Sequence, residues 1–153
     1  MAEADIAEQL ILAAFDPGLG EGWASGQVAP TLAMPGTWAT CAEAADPLSA
    51  VPVKSAPVGF TIARQISDEA ELLLIGVRPD RRRSGLGGVL LDRMLADAAA
   101  AGALQVFLEV RESNAAAIAL YSSRGFEVVG RRPGYYRAAD GARQDALTMR
   151  RSN

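Results

Sequence analysis

The stretch Arg82-Arg83-Ser84-Gly85-Leu86-Gly87-Gly88 lies between a largely apolar run, residues 71–77, and an amphipathic run, residues 86–101. The first run predicts a central strand covered on both faces, and the second predicts a helix with one buried stripe. Glycines let the connecting backbone turn tightly and present consecutive N–H groups where the helix dipole adds positive charge. Such a turn suits a phosphate or pyrophosphate, although an ordinary strand-to-helix turn uses the same glycines. No Gly-Lys-Ser/Thr follows, so the stretch is not a P-loop, and its glycine spacing is not that of a dinucleotide fingerprint.

The elements around this turn follow from the periodicity of apolar residues and from turn residues. Residues 58–66 and 71–77 predict an antiparallel hairpin around the turn 67–69. Gly134, Asp140 and Gly141 predict turns around a final hairpin. The other predicted elements are helices at 4–15, 24–33 and 115–124, strands at 37–43, 104–110, 126–129 and 145–150, and a surface loop at 45–56. Their order implies an α/β fold with a mixed sheet and helices on both faces.

Composition restricts the chemistry. The chain has 153 residues, a formal net charge of −3, no histidine and one cysteine. The lack of histidine excludes Ser-His and Cys-His triads and histidine-dependent zinc sites, so a general base must be a carboxylate, a tyrosine, Lys54, Cys41 or the α-amine. The modest negative charge argues against direct nucleic-acid binding over the whole surface. No apolar run is long enough to span a membrane and the N-terminus lacks a signal-peptide pattern, so we expect a cytoplasmic protein.

Two polar side chains lie where chemistry could occur. Strand alternation places Phe107 and Glu109 on one face of the predicted strand 104–110, opposite its other apolar side chains. A carboxylate in the middle of a sheet is paired, solvated in a cleft or raised in pKa. Either an ion pair with a neighbouring arginine or a catalytic role accounts for Glu109. Tyr121, about two helical turns after the predicted N-cap Asn114, is either a core tyrosine with its hydroxyl at the rim or a functional phenol.

The pair Tyr135-Tyr136 follows Arg131-Arg132-Pro133-Gly134. Aromatic and basic residues together are typical of nucleic-acid stacking, but no RNA-binding motif or wider basic surface accompanies them. We therefore expect the two tyrosines to pack or to line a substrate groove.

From about residue 71 to 150 the chain resembles the GNAT superfamily of acetyl-CoA-dependent N-acetyltransferases. Arg82, Gly85 and Gly87 meet its signature, Arg/Gln-x-x-Gly-x-Gly/Ala after a central strand. Residues 108–121, LEVRESNAAAIALY, followed by Gly125-Phe126, resemble more narrowly the RimI-type branch, which acetylates the N-terminal alanine of a ribosomal protein. The resemblance implies a mixed, mainly antiparallel central sheet of about six to seven strands with helices on both faces.

The resemblance also implies acetyl-CoA as co-substrate, direct transfer to a primary amine, and no metal. Glu109 would be the general base, acting through water, and Tyr121 the acid that protonates the departing thiolate. A backbone N–H near Val77 would stabilise the oxyanion. Asn114 would contact the cofactor arm. The implied cofactor-binding residues are Ile75, Gly76 and Val77 for the pantetheine arm, and Arg82, Arg83, Ser84, Gly85, Leu86, Gly87 and Gly88 for the pyrophosphate.

On this basis the chain is a single domain, residues 1–153. It has an N-terminal acceptor-side part at about 1–55, an acetyl-CoA-binding core at about 56–130 and a C-terminal hairpin at about 131–153. Trp23, Tyr135 and Tyr136 would bind the acceptor, expected to be a ribosomal-protein N-terminus.

The N-terminal third departs from the RimI pattern, and the segment between the double arginine and the double tyrosine has one extra residue. The second hypothesis keeps the cofactor but has a small amine (polyamine, aminoglycoside or amino acid) as acceptor. The third hypothesis is a non-catalytic CoA-binding module. The sequence leaves the oligomeric state open.

Overall fold

The computed structural model describes residues 26–43, 57–138 and 140–153. The predicted helix at 4–15, the predicted loop at 45–56 and Trp23 lie outside these residues. A short 3₁₀ turn, Pro79–Arg81, joins the third strand to the second helix. The helices are α1 Val28–Leu32, α2 Leu86–Ala100 and α3 Ala115–Ser123, and the strands are β1 Thr37–Glu43, β2 Pro57–Ile66, β3 Glu69–Val77, β4 Gln105–Arg111, β5 Glu127–Arg137 and β6 Arg143–Ser152.

The described strands form one six-stranded sheet in the order β1-β2-β3-β4-β6-β5. Among their pairings β3–β4 is parallel and the other four are antiparallel. The parallel pair needs a crossover, which α2 provides. The expected mixed, mainly antiparallel sheet is therefore confirmed.

Helices cover both faces of the sheet, as predicted. The buried stripe of α2, which includes Leu91 and Met94, packs in one apolar cluster with Leu72, Leu108 and Tyr121. On the opposite face a smaller cluster joins Val28 of α1 to side chains of β2. Strand alternation explains the division, because successive side chains point to opposite faces. The face of β4 that carries Leu108 is therefore the α2 face, and the next residue, Glu109, faces the other way.

The start of β4 differs slightly from the prediction. Val106, Leu108 and Val110 are buried as expected, but Leu104 precedes the strand and is 63% exposed. Its N–H donates to Asp68 O over 2.7 Å, so residue 104 belongs to the connection from α2 rather than to the ladder.

The predicted turn at Gly134 is wrong. β5 begins at Glu127, one residue after the start of the predicted strand 126–129, continues without interruption to Arg137, and shifts register against β6 between Arg132 and Tyr136. Gly134 has φ +61° and its N–H donates to Asp145 Oδ1 over 2.9 Å. The glycine therefore marks an irregularity within a long strand, which is a common use of glycine in sheets. The turn at 140–141 is confirmed, since Gly141 N–H donates to Ala138 O over 2.9 Å.

Substitution of Gly36, which precedes β1, measures how much the stability of the fold depends on a glycine at this position. We expect Gly36→Ala to destabilise the protein by about 3 kcal/mol, because φ is +77° and the added Cβ would lie 2.2 Å from Gln65 O. Gly26→Ala is the matched control. Its φ is +94° but nothing within the described residues lies within 4 Å of the added Cβ, so it should cost only about 1–2 kcal/mol. Chemical denaturation measures both, and equal losses would contradict the steric explanation.

Candidate active site

The sheet opens between β3 and β4. These strands pair only from Glu69 to Leu72 and from Gln105 to Leu108. Beyond this point β3 keeps its pairing with β2 as far as Val77, and β4 keeps its pairing with β6. Within residues 26–43, 57–138 and 140–153, no strand pairs with the β4-side edge of residues 73–77. An extended ligand could add to this edge as a strand does, and the edge contains the predicted Ile75, Gly76 and Val77.

The loop after β3 has the shape of an anion-binding nest. Arg83 and Gly85 both adopt left-handed conformations, with φ +61° and +82°, and the first turn of α2 begins directly afterwards. Left-handed residues alternating with right-handed or extended ones turn successive N–H groups toward one point. The N–H groups of Leu86, Gly87 and Gly88 have no intrahelical acceptor, because they belong to the first turn. A positive φ is uncommon for an arginine, and such strain is typical of functional loops.

Side chains brace this loop. Arg78 Nε and Nη2 each donate to the Asp80 carboxylate over 2.6 Å, and this hydrogen bonding holds the pKa of Asp80 below its usual range. Arg82 Nε donates to Val77 O over 3.2 Å, and Ser84 Oγ donates to Arg81 O over 2.5 Å. Of these two residues, both predicted to bind the cofactor, Arg82 fixes the loop to the end of β3 and Ser84 fixes it to the 3₁₀ turn.

The lack of a side chain at Gly88 leaves room for Arg124, a contact that the sequence did not predict. An added Cβ would lie 2.2 Å from Nη2 of Arg124, which follows α3 and crosses the start of α2. The same guanidinium binds Asp92, with Nε 3.1 Å from Oδ1. Gly88 therefore lets Arg124 tie α3 to α2 beside the nest. Gly87 is less confined, because its nearest neighbours would be Leu120 Cδ2 at 3.5 Å and Val77 Cγ2 at 3.9 Å.

A cavity of about 280 Å³ lies against the sheet where Glu109 is located. The Glu109 side chain is only 18% exposed, and its Oε1 lies 2.9 Å from Nε of Arg132 on β5. The ion pair considered from the sequence is therefore present, and it lies inside a cleft. The cavity is lined by Arg64, Ile66, Glu69, Ala70, Glu71, Phe107, Leu108, Glu109, Arg132 and Thr148.

Glu71 was not among the residues predicted from the sequence. It lines the same cavity, and its pKa is raised by partial burial and by the charge of Glu109, against opposing effects of Arg132 and Arg64. The only local signal was its position next to Leu72 in an otherwise apolar strand. Its proximity to Glu109 depends on the parallel β3–β4 pairing, which joins residues far apart in the chain.

Tyr121 lies on the opposite face of the sheet from Glu109. Its side chain is buried in the α2-side core, and its ring packs edge-on to Phe126 with centroids 6.0 Å apart. Burial, and to a smaller extent Tyr136, raises the pKa of this phenol, which would be protonated at neutral pH even without the shift. Its core cluster includes Ile75, from the unpaired edge, and Val110. Glu109 and Tyr121 therefore lie on opposite faces of the sheet.

The structure also shows the contacts of three other predicted site residues. Asn114 caps α3, its Oδ1 accepting from Ala117 N–H over 3.2 Å, which confirms the predicted N-cap. Tyr135 and Tyr136 pack edge to face with centroids 5.1 Å apart. The Arg132 guanidinium lies 5.4 Å from the Tyr135 ring centre, and that of Arg111 lies 4.5 Å from the Tyr136 ring centre. The exposed Tyr135 thus contacts Arg132, which lines the Glu109 cavity, but is not itself part of the cavity wall.

Within the described residues, no group of three or more cysteine, aspartate or glutamate side chains is arranged to hold a metal ion. No helix in that part of the chain is long and apolar enough to cross a bilayer.

Comparisons with known proteins agree with this geometry. A sequence model of the Acetyltransferase (GNAT) family matches residues 20–126. The ribosomal protein bS18-alanine N-acetyltransferase of Escherichia coli K12 is 47% identical over 90 residues, which cover 59% of this chain and 60% of that enzyme. The corresponding enzyme of Haemophilus influenzae is 37% identical over 92 residues, which cover 60% of this chain and 62% of that enzyme. The chain thus spans about three fifths of the curated relatives that it matches.

The fold comparison extends over nearly the whole chain. The crystal structure of the ribosomal-protein-S18-alanine N-acetyltransferase from Escherichia coli matches with a TM-score of 0.79 and 30% identity, covering 99% of this chain and 90% of that one. The residues matched by the family model, 20–126, include the glycine-bearing turn from which the family was predicted. The prediction is confirmed, and the chain belongs to the GNAT acetyltransferase family.

Proposed function

We propose that this protein transfers the acetyl group of acetyl-CoA to the α-amine of a protein N-terminus, with the N-terminal alanine of a ribosomal protein as acceptor. The observation that carries the proposal is the unpaired edge at residues 73–77, which runs from the opening beside Glu109 to the anion nest at Arg83 and Gly85. The GNAT family uses acetyl-CoA, and the curated relatives are named for acetylation of an N-terminal alanine.

The edge and the nest are suited to different parts of one long ligand. Backbone groups of Ile75, Gly76 and Val77 would pair with the amides of a pantetheine arm, and the nest would bind the diphosphate with backbone N–H groups. Bound there, acetyl-CoA supplies an activated thioester. Its carbonyl would lie at the opening, where a backbone N–H near Val77 would stabilise negative charge on the oxygen.

Glu109 and Tyr121 would carry out the proton transfers, as base and acid respectively. A terminal ammonium has an unperturbed pKa of about 7.7–8.0, so Glu109 can accept its proton, directly or through water. The neutral nitrogen then forms a bond to the carbonyl carbon as the carbon–sulfur bond breaks, and Tyr121 donates its phenol proton to the departing thiolate. The nitrogen, now bonded to the acetyl group, loses its second proton to the Tyr121 phenolate, directly or through water, which leaves the neutral amide and restores the phenol. Arg132, whose Nε lies 2.9 Å from Glu109 Oε1, holds the Glu109 carboxylate in position before the amine enters.

Incubation with acetyl-CoA and a hexapeptide that begins with alanine tests this function. We expect a mass increase of one acetyl group, located at the α-amine by fragmentation. An N-terminally blocked peptide is the control and should remain unmodified. Acetylation of spermidine or an aminoglycoside with no reaction of the peptide would favour the small-amine alternative.

Thermal unfolding tests cofactor binding separately. It should show stabilisation of about 2.7 kcal/mol at acetyl-CoA concentrations near 100 times Kd, and no stabilisation would contradict cofactor binding.

A further inference from the structure

The face of the sheet that carries Glu109 also carries a second carboxylate, Glu71. In the parallel β3–β4 ladder Glu71 pairs with Phe107 and Leu72 pairs with Leu108. Leu72 and Leu108 point into the α2-side core, so Glu71 and Glu109 both point away from it. Both line the 280 Å³ cavity, with Glu71 the more exposed to solvent. Glu71 therefore lies nearer to solvent than Glu109 on the wall of the same cavity.

The charges that line this cavity do not balance. Three carboxylates, Glu69, Glu71 and Glu109, face two guanidinium groups, Arg64 and Arg132, which leaves one negative charge uncompensated. Arg132 is paired with Glu109 at 2.9 Å, whereas no arginine in the described ranges lies within salt-bridge distance of Glu71. Partial burial, and to a smaller extent repulsion from Glu109, disfavours the charged form of Glu71. A small cation between them would relieve this repulsion.

Arg64 supplies the complementary donors. It is the direct cross-strand partner of Glu71 in the β2–β3 ladder, so the two side chains leave neighbouring backbone positions on one face. Arg64 is half-buried in the cavity wall, and its Nε is buried without a hydrogen-bond partner among the described residues. The guanidinium has five N–H donors and no acceptor, so its outer nitrogens suit a carbonyl oxygen.

We propose that Glu71 and Arg64 recognise the acceptor as a peptide N-terminus: Glu71 binds the α-ammonium and Arg64 donates to the first peptide carbonyl. This inference rests on the proposed function and explains how the enzyme would recognise its acceptor. An ammonium and a carbonyl separated by one Cα occur together in every peptide N-terminus, whereas a polyamine has ammonium groups but no carbonyl. Glu71 holds the charged amine in position, and Glu109, deeper in the cavity, then takes the proton.

Steady-state kinetics of Glu71→Gln test the first half. We expect KM for the alanine peptide to rise about tenfold or more, the range for losing a hydrogen bond between charged groups. The kcat value and KM for acetyl-CoA should change by less than about threefold, because Glu109 and the nest are intact. Glu127→Gln, the same substitution at an exposed position on the outer strand β5, is the control and should leave all three constants unchanged. An unchanged peptide KM in Glu71→Gln overturns the inference.

Arg64→Gln tests the second half with paired acceptors. Its KM should rise for the alanine peptide but not for isopropylamine, which offers the amine without a carbonyl. An equal rise for both acceptors would overturn the role in carbonyl recognition. An unchanged melting temperature and acetyl-CoA affinity show that each variant is folded.

A binding measurement separates failure of this inference from failure of the proposed function. Calorimetry in the presence of CoA compares the free-amine peptide with its N-acetylated form. Wild type should prefer the free amine, and Glu71→Gln should lose that preference, whether or not turnover is observed. If wild type acetylates the peptide but Glu71→Gln keeps the preference, the inference alone is wrong. If wild type shows neither acetylation nor preference, both are wrong.

Discussion

Replacing Glu109 with glutamine should lower kcat for the alanine peptide by about 100-fold or more, while the Kd for acetyl-CoA changes little. The expected size of the fall in kcat follows from the usual contribution of a positioned general base, which is about 10²–10⁴ in rate. Glutamine has nearly the same volume as glutamate and its amide oxygen can still accept from Arg132, so the cavity should keep its shape. Initial rates and CoA calorimetry on the same protein preparation measure the two quantities.

The pH dependence distinguishes a base from a structural residue. Near pH 9 the amine, with a pKa of about 7.7–8.0, is already mostly neutral, so removal of its proton is no longer required. The deficit of Glu109→Gln should therefore shrink as the pH rises from 7 to 9. A deficit that stays constant over this range, or a fully active variant, would remove the assignment of Glu109 as base. Glu127→Gln should follow the wild-type profile, because Glu127 is exposed on β5 and lies outside the cavity.

The predictable parts of this protein are those that depend on neighbouring residues. β1 coincides with the predicted strand 37–43, and α2 with the predicted helix to within one residue. The nest followed from the glycine pattern of 82–88, because tight turns and helix starts are set by local backbone preferences. The alternation that places Glu109 opposite the core is likewise a property of one strand.

The parts that were missed depend on contacts between distant residues. Glu71 is beside Glu109 only because β3 and β4 pair in parallel, and Arg124 reaches Gly88 only because α3 packs near the start of α2. The wrong turn at Gly134 has the same origin. A glycine that the local sequence assigns to a turn is held within β5 by its hydrogen bond to Asp145, eleven residues away. The opening between β3 and β4 also depends on the sheet order, which periodicity does not specify.

The anion nest allows a test in which shape is constant and only charge changes. Gly85 has φ +82°, and no described atom lies within 4 Å of a Cβ added there. Asparagine and aspartate have nearly the same shape, and both tolerate left-handed backbone better than other non-glycine residues. We expect Gly85→Asp to bind acetyl-CoA about 100-fold more weakly than Gly85→Asn. A carboxylate about 5 Å from one phosphate charge costs about 3 kcal/mol at an effective dielectric constant of 20.

Salt and stability measurements complete this comparison. Higher ionic strength should narrow the difference in Kd between the two variants, because screening weakens repulsion between partly exposed charges. Without ligand, Gly85→Asp should be at least as stable as Gly85→Asn, since a negative charge at a helix N-terminus is favourable when no other anion is bound. The substitution is therefore expected to oppose the ligand while leaving the fold intact. Equal Kd values for the two variants at low salt would show that no anionic group of the cofactor lies at this turn.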